Sequence, residues 1–191
     1  MFEIPTSITI DGTEYPIREK GDYRMVMDCF QVLNAIDLTP LEKLYGCLII
    51  FYDGMENIED LNVFSNLQTA VDEMFKFFNC GRVQKDNRYS PKLIDWEQDA
   101  QLIASAVNHV SGKEIRFEPY IHWWTFMGYY MAVGESTLST VVGIRYKLKK
   151  GKKLEKYEKD FKRDNPEYFT WKNDTDDLEA EKAYEDLINN T

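Results

Sequence analysis

From Asp22 to Lys147 the chain repeats one pattern, apolar residues spaced three and four apart between residues that start and stop helices. That spacing is the signature of a helix with one buried face. Met25, Cys29, Val32 and Leu33 form the first such stripe. Thr39-Pro40-Leu41-Glu42 then supplies a capping hydroxyl, a proline at the first helical position and a glutamate three residues after the cap. This combination predicts a helix start, with the helix running to about Phe51 and ending at Asp53-Gly54. Asn62–Cys80 carries Val63, Leu67, Ala70, Val71, Met74, Phe77 and Phe78, and Gly81 is expected as a left-handed C-cap. Asp95 is expected to cap a further helix striped by Trp96, Ala100, Ile103, Ala104 and Val107, with Gly112 ending it. Tyr120–Val133 is nearly apolar all round and predicts the most buried helix. Gly134 stops that run, and Ser136 or Thr137 restarts a helix toward Lys147.

The first 20 residues differ. Ser7-Ile8-Thr9-Ile10 and Tyr15-Pro16-Ile17-Arg18 flank Asp11-Gly12-Thr13-Glu14, which predicts a β-hairpin turning at Asp-Gly. Pro16 confines its strand to an edge or an end, because it has no N–H to donate. The expected fold is therefore mainly α, a bundle of about six or seven helices with a small N-terminal hairpin. The expected segments are a hairpin at residues 1–20, a helical core at 21–147 and a charged helical extension at 148–191. Phe30, Leu44, Phe51, Met74, Phe78, Trp96, Ile103, Trp124 and Met127 are expected to lead the core. Residues 82–91 are polar and predict a surface loop.

Charge separates sharply at the C-terminal end. Residues 145–163 hold ten basic and three acidic side chains, and residues 164–191 hold two basic and nine acidic ones. Such a pair of blocks is expected to fold back on itself, contact neighbouring subunits or stay mobile. Pro166 should break any helix between them, and Asp174–Asn189 has only the thin stripe Leu178, Ala183, Leu187 and Ile188. The extension is expected to lie outside the main core.

The chain carries 23 Lys+Arg against 33 Asp+Glu, a net charge of −10 that argues against a protein coating nucleic acid by phosphate neutralisation. The basic run at residues 147–153 contains no aromatic residue and is read as a solvated linker or an inter-subunit patch. The longest near-apolar run, Gly46 to Tyr52, is far short of the ~20 residues of a membrane span, and no secretory signal opens the sequence. Three widely spaced cysteines (Cys29, Cys47, Cys80) imply buried thiols in a reducing cytoplasm, not a disulfide frame or zinc site.

Catalytic signatures are sparse. The sequence has no Gly-rich phosphate loop, no Gly-x-Ser-x-Gly and no His-Glu-x-x-His. His122 is read as a packed or hydrogen-bonded core histidine, and His109 as a cation at a helix end. Asp95, Glu97 and Asp99 form a cluster in sequence only. Positions 97 and 99 point about 200° apart on a helix, so these carboxylates are read as favouring a helix N-terminus. Cys80 lacks an evident base. No enzyme activity, metal or cofactor is expected.

Two segments carry a resemblance. Asp95-Trp96-Glu97-Gln98-Asp99-Ala100, followed by Ile103-Ala104-Ser105, resembles a motif of a tailed-phage family named after a phage's gene product fifteen. Downstream, His122-Trp123-Trp124-Thr125-Phe126 is similar to that family's His-Trp-Trp-x-Phe block. Gly143-Ile144-Arg145 before a basic stretch, and the opening from Ile8 to Ile17, also suit it. The family occurs in siphophages and prophages of Gram-positive hosts, typically between the tail-tube and tape-measure genes. The resemblance implies a helical, non-catalytic tail assembly chaperone that acts in the host cytoplasm. It would coat the tape-measure protein until tube subunits replace it. Implied partners are the tape measure and, beyond it, the tail-tube protein and other copies of this chain, with no nucleic acid or membrane. The alternative it leaves open is a structural tail or connector protein retained in the virion. The motif residues Asp95, Trp96, Glu97, Gln98, Asp99, Ala100, His122, Trp123, Trp124 and Phe126 are expected in the core or on a partner face.

Overall fold

The computed structural model describes residues 3–82 and 92–171. Among them the protein is mainly helical, with one two-stranded antiparallel hairpin near the N-terminus. The chain divides into two compact units.

The first unit comprises, among the described residues, 3–82 and Tyr120–Trp124. Strands β1 (Ser7–Ile10) and β2 (Thr13–Pro16) pair with Ile10 opposite Thr13. Asp11 and Gly12 both take positive φ, 48° and 84°, which makes the primed turn that matches strand twist. Pro16 falls at the end of its strand. The chain then runs through Glu19, Lys20 and Gly21, all left-handed at φ 50°, 53° and 79°. Gly21 is required there twice over. Its φ disfavours a side chain, and a Cβ would sit 2.8 Å from the Phe77 ring and 3.0 Å from His122 Nε2.

Helix α1 (Tyr23–Asn34) starts at Asp22, whose carboxylate accepts the Arg24 N–H. Helix α2 (Pro40–Phe51) opens with the expected capping box, Thr39 and Glu42 each accepting the other's backbone N–H. Cys29 of α1 and Cys47 of α2 are fully buried, with Cys47 Sγ 3.4 Å from the Cys29 carbonyl oxygen.

The helix expected over Asn62–Cys80 is shorter, because two competing caps divide that stretch. Asn57 and Asp60 close a capping box around a 3₁₀ turn, Ile58–Val63, and Asn66 caps α3 (Leu67–Phe78). Val63 is consequently exposed, and Phe64 takes the buried place. The core of this unit is aromatic. The Phe51 ring lies 5.2 Å from that of Phe77 and 5.7 Å from that of Phe78, and Tyr52 donates its hydroxyl to the Ala70 carbonyl at 2.9 Å.

The second unit comprises, among the described residues, 92–119 and 125–171. A turn over residues 96–99 precedes α4 (Ala100–Ser111), which Gly112 ends in the left-handed conformation at φ 72°. Helix α5 spans Trp123–Met131, so Trp123 and Trp124 belong to the first unit and the remainder to the second. It is nine residues long and not buried all round as expected, since Tyr120 lies outside it and Met131 is 62% exposed. Helix α6 (Thr137–Lys149) starts at Ser136, and α7 (Lys156–Asp164) carries Glu158, whose carboxylate accepts two hydrogen bonds from Lys147 Nζ at 2.7 and 2.8 Å. Pro166 opens a short 3₁₀ turn to Phe169, ending the helical run as expected. Ile103, Val107, Ile115, Phe126, Val141 and Ile144 fill this unit's core.

Of the expected core leaders, Leu44, Phe51, Met74, Phe78 and Ile103 are buried, while Phe30, Trp96, Trp124 and Met127 are half-buried. The loop expected over 82–91, save Arg82, and the helix expected over Asp174–Asn189 lie outside the described residues. No helix among the described residues is long and apolar enough to cross a membrane.

Candidate functional site

The segment Asp95–Ala100 lies wholly in the second unit, where it builds a polar knot. Asp95 Oδ1 accepts the N–H groups of Glu97 (3.0 Å) and Gln98 (2.8 Å), and Lys92 Nζ approaches Asp95 Oδ2 at 3.1 Å. Burial alone would raise the Asp95 carboxyl, but the Gln98 and Glu97 N–H groups and Lys92 hold it below its ordinary value. Asp95 thus caps the turn that precedes α4, not α4 itself.

Asp99 does something the sequence reading did not foresee. It is 2% exposed and forms a two-pronged ion pair with Arg145 of α6, at 2.6 Å to Nη1 and 2.9 Å to Nη2. Arg145 is itself 4% exposed and also donates to the Leu93 carbonyl (2.9 Å) and twice to the Tyr168 carbonyl (2.8 and 2.6 Å). All of its donors are engaged. Trp171 covers the guanidinium, 4.2 Å from ring centroid to Cζ. Asp99 Oδ2 also accepts the Asp95 N–H at 2.9 Å, which ties both carboxylates of the segment into one network.

The other members of the segment sit around this knot. Gln98 donates to the carbonyls of Glu167 (3.2 Å) and Thr170 (2.9 Å). Trp96 is half-buried, its ring 6.4 Å from Phe126 and 5.3 Å from Tyr130. Glu97 is exposed, and Ala100, also exposed, is the first residue of α4. Residues 166–171 are therefore structural partners of the motif. These six residues, within the extension expected to lie outside the main core, are bonded to it through Tyr168, Glu167 and Thr170.

The second segment divides between the units. Phe126 is 2% exposed in the second unit and supplies the contact with Trp96. His122, Trp123 and Trp124 work in the first unit, at the C-terminal end of α3. Trp123, 1% exposed, donates its indole N–H to the Phe78 carbonyl at 2.9 Å, and Trp124 donates to the Phe77 carbonyl at 2.9 Å. His122 Nε2 lies 3.0 Å from the Pro5 carbonyl oxygen, and Nδ1 lies 3.0 Å from the Trp124 backbone nitrogen. A carbonyl only accepts and an amide only donates, so the ring is neutral with its proton on Nε2. Burial depresses the His122 pKa, opposed by the Pro5 carbonyl and the Asp22 carboxylate. Asp22 (3% exposed) accepts the Ile121 N–H at 2.9 Å, and Tyr23 donates its own N–H to the Ile121 carbonyl at 2.9 Å.

These geometries hold structure, and the chemistry available at them is limited. Both carboxylates near Trp96 are committed to hydrogen bonds. His109 stands in the last turn of α4. The Cys80 thiol is pushed up by burial, with Arg82 opposing. Among the described residues no group of three or more His, Cys, Asp or Glu could hold a metal ion. Arg145 is the residue of this network whose buried ion pair the sequence alone does not reveal. Its signal was its position: Leu138, Val141 and Arg145 recur at three and four residues, which puts an arginine on an apolar stripe.

The family model described as Bacteriophage Gp15 protein matches residues 2–169, which include both motif segments and Arg145. The chain belongs to the bacteriophage Gp15 family. Membership makes it a phage structural or morphogenesis protein. No curated protein and no solved structure matches the chain.

Proposed function

We propose that this chain is a tail assembly chaperone of siphophage morphogenesis, which binds the tape-measure protein in the host cytoplasm and works without catalysis. The match to the Gp15 family over residues 2–169 carries this reading. The surface is compatible with it. Each unit exposes apolar side chains, Ile36 (67% exposed) in the first and Phe117 (88%) and Met131 (62%) in the second. The net charge of −10 steers basic segments of a partner toward the protein and keeps the free protein soluble. Further partners in this reading are the tail-tube protein and other copies of the chain.

Co-expression with the cognate tape-measure protein, followed by pull-down at low and high salt, tests the interaction. Retention at both salt levels is expected, because the contact is mainly apolar. Mass spectrometry of purified virions tests the role, and the protein should be absent or scarce there. Stoichiometric presence in virions would make it a structural tail or connector protein instead.

A further inference from the structure

Within the first unit, α1 and α2 cross where small side chains let their backbones come close. A Cβ on Gly46 would stand 3.0 Å from Val32 Cγ1, so the helices leave no room there for a larger residue. Cys29 and Cys47, one on each helix beside that contact, are both completely buried. Each thiol faces the other residue's main chain. Cys47 Sγ lies 3.4 Å from the Cys29 carbonyl oxygen, and Cys29 Sγ lies 3.8 Å from the Cys47 carbonyl oxygen. This reciprocity sets the two side chains next to each other across the crossing. A hydrogen bond between the two side chains, with burial behind it, pushes the Cys29 thiol far above its ordinary range. Filling the space between two helices does not by itself require sulfur on both of them.

We propose that Cys29 and Cys47 are a redox latch: two free thiols in a reducing environment, and a disulfide tying α1 to α2 once a small-molecule disulfide reaches them. The folded core protects the thiols, because exchange needs a thiolate and both sulfurs are shielded from solvent. Reaction begins only when α1 and α2 part locally. One cysteine, as its thiolate, then attacks the reagent's S–S bond, forming a mixed disulfide and releasing one reagent thiol. The other cysteine attacks the protein sulfur of that mixed disulfide, and the second reagent thiol leaves. The two cysteine sulfurs are oxidised, the reagent disulfide is reduced to two thiols, and the two cysteine protons end on those thiols. The new bond joins positions 18 apart in the chain and stops the two helices from parting again. Cys80 follows α3 and takes no part in the pair.

Refolding the full chain from urea in a mixture of reduced and oxidised glutathione tests the latch, because unfolding exposes all three cysteines to the reagent. Remaining thiols are then alkylated, and the protein is digested without reduction and mapped by mass spectrometry. The expected result is a linked peptide joining Cys29 to Cys47, with Cys80 outside any link between protein sulfurs. Incubating the folded protein in the same mixture should give the same link about tenfold or more slowly, since local opening limits the rate. The linked protein should unfold with an equilibrium constant about a hundredfold lower than the reduced protein, the effect of closing a loop of this length. Dithiothreitol should abolish that gain. Free thiols at both Cys29 and Cys47 after refolding would overturn the proposal. Glutathione carried on either of them without a link between them, or a link from either to Cys80, would overturn it equally. A linked protein no more stable than the reduced one would leave the two cysteines as packing alone and remove the latch.

Discussion

Trp123 donates its indole N–H to the carbonyl oxygen of Phe78 at 2.9 Å, so a side chain from elsewhere in the first unit completes the end of α3. The last four carbonyls of a helix lack partners within it. Here all four are met. Asn79 N–H bonds Phe75, Gly81 N–H bonds Lys76, Cys80 N–H and the Trp124 indole share Phe77, and Trp123 takes Phe78. The paired tryptophans of the His-Trp-Trp block act as an external C-cap on α3.

The two tryptophans should differ in cost. Trp123 is 1% exposed and Trp124 is half-buried. Trp123→Ala removes a fully packed ring and leaves the Phe78 carbonyl unpaired, a loss of about 3–5 kcal/mol. Trp124→Ala should cost less, about 1–3 kcal/mol, because the Phe77 carbonyl keeps the Cys80 N–H. Chemical denaturation of the two variants checks the order. Trp124→Ala costing as much as Trp123→Ala would refute the division of roles.

His122 makes stability depend on pH with a definite sign. Its folded pKa lies below the ordinary 6.5, so the unfolded chain takes up a proton first as pH falls. Stability is complete above about 6.5 and declines from there down to the depressed folded value. Protonation also places a proton on Nδ1, where the Trp124 N–H needs an acceptor. The melting temperature should drop between pH 7.5 and 5.5. His122→Asn keeps a side-chain acceptor at this cap and has no titrating ring, so its drop should be smaller. Equal drops in both proteins would assign the pH dependence to other groups.

The helices were legible because caps and stripes are local. Thr39–Glu42 and Asp11-Gly12 each encode their structure within four residues, and both form as expected. The shortening of α3 was not legible by periodicity, since Val63 fits the stripe while the Asn57–Asp60 and Asn66 caps override it. The site was less legible than the fold. Asp99 looked like a carboxylate near a helix N-terminus, and only tertiary structure brings Arg145, 46 residues away in sequence, to it. By composition the tryptophans of the second segment are core residues. Their indole N–H groups are what distinguish them, and hydropathy does not register a donor's direction.

Cys80 occupies the position after the α3 cap at φ 54°, where a side chain is unfavourable, and Gly81 follows at φ 79°. The bonds from Cys80 to Phe77 and from Gly81 to Lys76 define the motif that favours glycine at the first of these positions. Cys80→Gly should therefore stabilise by about 0.5–1 kcal/mol, the relief of left-handed strain exceeding the added freedom of the unfolded chain. Gly81→Ala should destabilise by about 1–2 kcal/mol, because φ is positive and its Cβ would stand 3.2 Å from the Trp124 ring. Thermal melts of both variants read the signs directly. A destabilised Cys80→Gly would mean that the thiol's packing outweighs the strain.

Arg145 joins Asp99 to the carbonyls of Leu93 and Tyr168, so its removal strands a buried carboxylate and two half-buried carbonyls. Arg145→Met should cost about 3–5 kcal/mol, the range for breaking a buried ion pair from one side. Pairing it with Asp99→Leu removes the buried charge and should recover part of that loss. Recovery stays incomplete because the two carbonyls and the Asp95 N–H remain without partners. The same network sets where the chain can be cut. Ending it after Trp171 keeps the Tyr168 carbonyl, the Gln98 acceptors at Glu167 and Thr170, and the ring over Arg145. Ending it after Asn165 removes all of them. Urea unfolding of the two truncations should give a lower midpoint for the shorter chain, close to that of Arg145→Met. Equal midpoints for both truncations would show that Asp99 alone holds Arg145 in place.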